Sequence, residues 1–206
     1  MKKIFLSVLF LITVLSLIAC GNNSPNIENN TVKNSNLTDK ENLDKTEKKI
    51  LVAYFSRTGN TKETALQIQR NTGGEIFEIQ PVSPYPDDYN KAVDQAKKEL
   101  ESDYRPPLKT KVSNPESYDI IFIGYPIWWG TIPGPVKTFL SENDFSGKIL
   151  VLFCTHGGSG EAGSVSDIKK IYPQSVIKKA FVVLGSRAKN SEESLKEWMN
   201  ELNLNE

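Results

Sequence analysis

A short segment near residue 56 combines hydroxyl side chains with a glycine. It consists of Ser56-Arg57-Thr58-Gly59-Asn60-Thr61 and leads directly into a predicted helix. Backbone N–H groups at the start of a helix point outward, and the helix dipole favours a negative charge there. With the hydroxyls of Ser56, Thr58 and Thr61, these groups predict a cradle for an anion such as a phosphate. For this segment alone a simple turn with a capping threonine is the alternative, and Arg57 either adds charge to the cradle or faces solvent.

A second segment places two tryptophans side by side among proline and glycine residues. It consists of Tyr125-Pro126-Ile127-Trp128-Trp129-Gly130-Thr131-Ile132-Pro133. Indole side chains are costly to expose in a loop unless they meet a flat or apolar partner. Because adjacent side chains of extended backbone point in opposite directions, we expect one indole to contact a ligand and the other to pack into the domain. The alternative is that both tryptophans belong to the core.

A third segment, Thr155-His156-Gly157-Gly158-Ser159-Gly160, contains three glycines among six residues. Glycine permits positive φ angles and a close approach of the backbone to a ligand. Such a loop offers N–H and C=O groups, which suit the edge of a planar heterocycle that needs directed hydrogen bonds. His156 is the only histidine of the chain. It is either a structural hydrogen-bonding residue or a group that donates a proton in a reaction.

Regular elements must position these three segments, and strand patterns alternate with helix patterns from about residue 49. Short apolar runs predict strands at 50–55, 75–80, 118–124, 149–154 and 180–184. Apolar residues at helical spacing predict helices that begin near 61, 89, 135 and 190, with another around 165–171. If Asn190 caps the last helix, Glu193 is placed to complete a capping box.

The strict alternation of strands and helices predicts an α/β fold. A five-stranded parallel sheet with helices on both faces satisfies the pattern, and right-handed crossovers leave few topologies. The doubly wound strand order 2-1-3-4-5 fits best, with its ligand crevice at the carboxyl ends of strands one and three. The three unusual segments follow strands one, three and four, so we expect them to meet at one edge of the sheet.

Taken together, these segments resemble the flavin-binding loops of the flavodoxin family. The segment 56–61 is similar to the flavodoxin phosphate motif T/S-x-T-G-x-T, and the other two fall where flavodoxins hold the isoalloxazine ring of FMN. The similarity covers the chain from about Lys49 to Leu204. The segments 126–130 and 155–160 resemble flavin quinone reductases of the same superfamily equally well. The resemblance implies a flavodoxin-like fold with FMN as cofactor and no metal.

The resemblance also implies roles for individual residues. Ser56, Thr58 and Thr61 should hold the FMN phosphate together with the backbone of 57–61. Trp129 matches the flavodoxin tryptophan that covers one flavin face, and Trp128 is the second candidate. The complete set of predicted cofactor-binding residues is Ser56, Arg57, Thr58, Gly59, Asn60, Thr61, Pro126, Ile127, Trp128, Trp129, Gly130, Thr131, Thr155, His156, Gly157, Gly158 and Gly160.

Two features depart from the flavodoxin pattern. Flavodoxins often place a tyrosine over the second flavin face from the loop after strand four, where this chain has no aromatic residue except His156. We therefore expect that face to be open to a substrate or partner. The chain is also neutral, with 25 Lys+Arg and 25 Asp+Glu, whereas many flavodoxins are strongly acidic. Neutrality also makes nucleic acid an unexpected partner.

The amino terminus has the pattern of an exported lipoprotein. Residues 1–20 begin with two lysines, continue as an apolar run and end in Leu17-Ile18-Ala19-Cys20, which resembles the bacterial lipobox. In that family the peptide is cleaved before the cysteine, which is then acylated, so Cys20 is the predicted lipidation site. A plain signal peptide or an uncleaved anchor is the alternative. Residues 21–48 are polar and predict a disordered tether, followed by a domain at 49–206.

These patterns favour an FMN-binding electron carrier that is anchored by lipid to the extracytoplasmic face of the cell membrane. Its expected partners are redox proteins or a quinol, because no nicotinamide pool is expected in that compartment. An FMN-dependent quinone or nitro-compound reductase is the alternative, with His156 as the candidate catalytic residue. A lipoprotein that binds a phosphorylated solute without redox chemistry is the third candidate, although it gives the tryptophan and glycine segments no role.

Overall fold

The computed structural model of the chain describes residues 48–204. Its strands are β1 Ile50–Tyr54, β2 Glu75–Glu78, β3 Ile120–Pro126, β4 Ile149–His156 and β5 Val176–Leu184. Its α-helices are α1 Asn60–Thr72, α2 Tyr89–Glu101, α3 Gly134–Glu142, α4 Ser164–Ile171 and α5 Glu192–Glu201. Short 3-10 helices lie at Pro115–Ser117 and Gly185–Asn190.

The strands form one parallel sheet in the order β2-β1-β3-β4-β5. This confirms the predicted fold class and strand order. The central strand β3 is an apolar run with almost every side chain buried. Gly124 of β3 is paired with Phe153 of β4, and a Cβ at Gly124 would lie 2.1 Å from the Phe153 ring. Glycine is therefore required where these two strands pack together.

Helices cover both faces of the sheet, each above its own apolar cluster. On one face the strand side chains pack with Phe139 of α3 and Ile168 of α4. On the other face they pack with Ile68 of α1 and Leu195 of α5. Removing this apolar surface from water is the main force that holds the layers together. With both faces covered, the carboxyl edge of the sheet is the place where loops can meet a ligand.

Several element boundaries differ from those predicted. β3 extends to Pro126 and β4 to His156, so the predicted loop residues at these positions lie at the ends of strands. β5 begins at Val176 rather than at residue 180, because its pairing with β4 starts opposite Ile149. The extra residues include lysines on an edge strand that is partly open to solvent, which hides them from a search for apolar runs.

The predicted capping box at the last helix is wrong. A 3-10 helix at Gly185–Asn190 comes first, and α5 begins only at Glu192 after Ser191. The Ser191 hydroxyl donates to the Ala188 carbonyl at 2.8 Å, so it does not cap α5. Asn190 therefore ends one helix and does not cap the next.

The predictions for the amino terminus lie outside the described residues. They comprise the signal peptide at 1–20, the lipidation of Cys20 and nearly all of the tether at 21–48. Among residues 48–204, no helix combines the length and the apolar character needed to cross a bilayer. Cys154, in contrast, is described: it is 1% exposed within the core, and burial raises the pKa of its thiol to about 12. Its side chain is therefore a packing residue of the core.

Candidate functional site

A cavity of about 700 Å³ lies at the carboxyl edge of the sheet. The three segments singled out in the sequence converge on it, joined by residues from α2 and from the end of β5. The predicted residues that line the cavity are Ser56, Arg57, Thr58, Asn60, Thr61, Pro126, Ile127, Trp128, Trp129, Thr155, His156 and Gly157. The predicted residues that belong to the same segments but do not line it are Gly59, Gly130, Thr131, Gly158 and Gly160.

The loop between β1 and α1 has the form of an anion cradle. Gly59 adopts φ +89° immediately before α1, a conformation that favours glycine, and its carbonyl accepts a hydrogen bond from Glu63 N at 2.9 Å. The first N–H groups of a helix have no partner within the helix and are free for a ligand. The hydroxyl oxygen of Ser56 is buried without a hydrogen-bond partner among the described residues. A buried hydroxyl of this kind is stabilised when a bound group supplies the partner.

Thr61 connects the cradle to β4. Its Oγ1 lies 2.8 Å from Oγ1 of Thr155, and the two residues are 1% and 4% exposed. When one hydroxyl donates to another, the accepting hydroxyl keeps its own proton for a third group. The pair therefore joins the start of α1 to the end of β4, and one of the two hydroxyl protons remains available for a bound ligand.

The guanidinium of Arg57 is already engaged by backbone carbonyls. Its Nη2 donates to the Pro86 carbonyl at 3.0 Å and to the Asp87 carbonyl at 2.6 Å, and its Nε lies 3.2 Å from the Pro86 carbonyl. These carbonyls belong to the turn that leads into α2. Arg57 lines the cavity, and its guanidinium stays positively charged while it bonds to these carbonyls, so a contribution of its charge to the cradle stays a prediction.

The two tryptophans occupy different environments. Trp128 is half-buried, and its ring packs edge-on against Phe55 and Tyr85 at centroid distances of 5.3 and 4.8 Å. Trp129 is 50% exposed; its Nε1 donates to the Val93 carbonyl of α2 at 3.1 Å, and the ammonium of Lys97 lies 5.4 Å from the ring centre. This division agrees with the expected opposite orientation of the two side chains. That Trp129 stacks on a flavin stays a prediction.

A tight turn presents Trp129 to the cavity. Trp128 and Thr131 exchange two backbone hydrogen bonds of 3.0 Å, and Trp129 and Gly130 between them have φ +51° and +76°. Such turns normally carry Asn-Gly, because positive φ is strained for larger side chains. The Thr131 hydroxyl donates to Asp167 of α4 at 2.6 Å, which ties this turn to the neighbouring helix.

His156 organises the glycine loop that follows it. Its Nδ1 accepts hydrogen bonds from the backbone N–H groups of Gly158 at 2.9 Å and Gly160 at 3.2 Å. A ring nitrogen that accepts carries no proton, so the imidazole proton lies on Nε2. The imidazole thus supplies the hydrogen-bond acceptor for two backbone N–H groups of the glycine loop.

Sequence reasoning missed two parts of the cavity wall. One is formed by residues on α2 and the other by the residues that follow β5; they are Tyr89, Ala92, Val93, Ala96, Leu184, Gly185 and Ser186. The apolar residues of α2 repeat at helical spacing, which predicts a helix but does not show which of its sides faces a ligand. The residues that follow β5 could have been predicted from the sequence. In a parallel sheet they must lie at the same edge as the residues that follow β4.

Comparisons with known proteins agree with this geometry. The family model of flavodoxin matches residues 49–202. A protein from Bacteroides eggerthii described as a flavoprotein is 35% identical, with a TM-score of 0.67 over 76% of this chain and 98% of its own. A similar protein from Bacteroides uniformis is 32% identical, with a TM-score of 0.66 over 74% of this chain and 98% of its own. Among curated proteins none matches.

A more distant structure shares the fold. It is a flavoprotein from Lactobacillus acidophilus in complex with FMN, 23% identical, with a TM-score of 0.59 over 74% of this chain and 99% of its own. The family model covers the whole sheet, all five α-helices and the three converging loops of the described region. This chain belongs to the flavodoxin family.

Proposed function

We propose that this chain is an FMN-binding electron-transfer protein held at the outer face of the membrane by a lipid anchor. The observation that carries the proposal is the convergence of the loops after β1, β3 and β4 on one cavity. These loops combine an anion cradle, indole rings and bare backbone, which are the three chemistries that a phosphorylated flat ring system requires.

The residues of the cavity fit FMN, which when bound supplies the ring that takes up and releases electrons. The buried Ser56 hydroxyl, the exposed Thr58 hydroxyl and the N–H groups at the start of α1 hold the phosphate dianion. The hydroxyl pair of Thr61 and Thr155 donates its remaining proton towards the ligand.

The loops that follow β3 and β4 would hold the ring. The exposed indole of Trp129 offers an apolar face, and the backbone of Pro126, Ile127 and Gly157 offers hydrogen-bonding groups to the ring edge. His156 keeps the glycine loop in the conformation that receives this edge. The protein thereby orients the ring and excludes water from one of its faces.

An electron carrier explains His156 better than an enzyme does. Its Nδ1 accepts from two backbone N–H groups, which gives the imidazole a structural role in the loop, and a carrier needs no catalytic acid there because the flavin does the chemistry. The donor is a membrane protein or a quinol, and the acceptor is an extracytoplasmic reductase. The lipid anchor at Cys20 rests on the lipobox pattern Leu17-Ile18-Ala19-Cys20 and would keep the protein beside such partners.

Stopped-flow kinetics test the carrier function. We expect photoreduced, FMN-loaded protein to reduce the one-electron acceptor ferricyanide rapidly, whereas NADH or NADPH reduces the loaded protein slowly. Free FMN at the same concentration is the control. Fast multiple turnovers with a nicotinamide and a quinone would contradict the carrier and support the quinone reductase. Failure of the folded protein to take up FMN would contradict both and favour the non-redox lipoprotein.

A further inference from the structure

Tyr89 is an exposed aromatic residue on the wall of the cavity. With 70% of its surface accessible, it is the most exposed large apolar side chain among residues 48–204. It begins α2 and lines the cavity. An aromatic ring that is left open to solvent beside a cavity is a common feature of a contact surface for a flat ligand.

Tyr89 lies on the same face of α2 that receives Trp129. Tyr89 and Val93 are four residues apart and therefore occupy neighbouring positions on the helix surface, with Cβ atoms roughly 5–6 Å apart. The Val93 carbonyl accepts the hydrogen bond from Trp129 Nε1 at 3.1 Å. Tyr89 is thus part of the first turn of α2, and Trp129 is held beside it by a hydrogen bond to the next turn of the same helix.

Small side chains complete this wall. Ala92 and Ala96 also line the cavity and are only 4% and 8% exposed. The part of the wall that α2 contributes beside Tyr89 is therefore made of small apolar side chains.

Arg57 and Tyr85 hold the start of α2 against the cavity. Arg57 donates three hydrogen bonds to the carbonyls of Pro86 and Asp87, which lie three and two residues before Tyr89. Tyr85 packs on Trp128, and its hydroxyl donates to the buried carboxylate of Glu99 within α2. The turn before α2 is thus fixed from both sides, so Tyr89 has a defined position even though its ring is exposed.

We infer that the first turn of α2 is part of the ring-binding site, and that the phenol ring of Tyr89 contacts the bound flavin. Arg57 acts as a positioning residue for this turn and does not bind the phosphate. The inference rests on the proposed function and adds to it a binding residue from an element outside the three loops. Tyr89 would give the flavin an aromatic contact that the loop after β4 of this chain does not provide.

Titration of the full chain with FMN and with riboflavin tests the role of Tyr89. Because the contact involves the ring and not the phosphate, Tyr89→Leu should lower the affinity for FMN and for riboflavin by the same factor. Loss of an aromatic contact corresponds to a factor of about three to ten. Tyr89→Phe should bind both within about twofold of wild type, since it retains the ring. Tyr104→Leu is the control, because Tyr104 is 51% exposed but does not line this cavity. Equal affinity of wild type and Tyr89→Leu would overturn the inference.

The same two ligands test the role of Arg57. Arg57→Gln should weaken FMN and riboflavin by an equal factor, and Arg57→Lys should restore part of the affinity because an ammonium group can still donate to the two carbonyls. A selective loss of FMN in Arg57→Gln would identify Arg57 as a phosphate ligand and overturn its positioning role. If wild-type protein binds neither flavin, the proposed function itself is contradicted. If wild type and Tyr89→Leu both bind FMN with the same affinity, only the role of Tyr89 is contradicted.

Discussion

Within the cavity, backbone hydrogen bonds hold both the imidazole of His156 and the indole of Trp129. His156 accepts from two N–H groups, and Trp129 donates to the Val93 carbonyl. The first contact lies within its own loop, whereas the second joins residues 36 positions apart. Each side chain therefore lines the cavity and also has a structural contact, and substitutions can separate a role in binding from this structural one.

The structural role of His156 predicts different outcomes for two substitutions. Asparagine places a side-chain oxygen near the position of Nδ1, so His156→Asn should bind FMN within about threefold of wild type. His156→Ala leaves two N–H groups without their acceptor, and its affinity should fall about tenfold. FMN titration measures both. If His156→Asn, once saturated with FMN, loses electron transfer as completely as His156→Ala, the imidazole has a chemical role and this account of it is wrong.

The backbone of Trp129 predicts a conflict between stability and binding. Asparagine is favoured at φ +51°, so Trp129→Asn should relieve strain of about 1–3 kcal/mol while losing the bond to Val93. We therefore expect the free energy of unfolding without ligand to change by less than about 1 kcal/mol. FMN affinity should fall at least about fivefold, because stacking on an indole contributes on the order of 1–3 kcal/mol. Chemical denaturation and FMN titration check the two effects; undiminished affinity would show that Trp129 does not cover the ring.

Residue types indicated the chemistry of the site, but not every partner. The cradle, the indoles and the glycine loop were recognisable because their composition is unusual at the ends of strands. The partners of Arg57 could not be predicted, because Pro86 and Asp87 are 29 and 30 residues away and offer only backbone carbonyls. The aromatic contacts of Trp128 likewise depend on how distant segments fold together.

At the scale of elements, the parallel pairing of the strands brings their carboxyl ends to one edge. Phe55 follows β1, Pro126 ends β3 and His156 ends β4, so the three loops begin side by side. Apolar periodicity was sufficient to predict this arrangement, because buried strands in a parallel sheet have continuous apolar sequences. It was insufficient for the start of β5 and for the 3-10 helix at Gly185–Asn190, where the chain lies at the sheet edge and its side chains are partly solvated.

The contact between β3 and β4 predicts a large loss of stability on adding one methyl group. Gly124→Ala would place its Cβ 2.1 Å from the fully buried Phe153 ring, so the strands must separate or the ring must move. Overpacking of this kind costs about 1–3 kcal/mol or more of unfolding free energy. Gly157→Ala is the control, because a Cβ at Gly157 would have no atom within 4 Å and the φ angle of this glycine is not positive. Equal stability of the two variants in chemical denaturation would contradict the packing described for this pair of strands.

For the whole molecule, the described chain enters the sheet away from the cavity. Lys49 directly precedes β1, so this entry lies at the edge opposite to the cavity. The neutral net charge of +0 further implies that partners are not attracted by a strong overall field, so their association should depend little on salt.

Lipid anchoring predicts a change of location on loss of one thiol. Cys20→Ser removes the acylation site, so the protein should move from the membrane fraction to the medium or to a soluble extracytoplasmic fraction. Cys154→Ala is the matched control, because this thiol is buried in the core and should leave the location unchanged. Cell fractionation followed by immunoblotting measures both. Unchanged membrane retention of Cys20→Ser would refute the lipid anchor.

The central claim is that the three loops form an FMN site, and equilibrium titration of the folded chain with FMN tests it most directly. We predict saturation at one FMN per chain, quenching of tryptophan fluorescence, and weaker binding of riboflavin because the cradle then lacks its anion. A folded protein that stays colourless in excess FMN, or that binds riboflavin as tightly as FMN, would contradict the account.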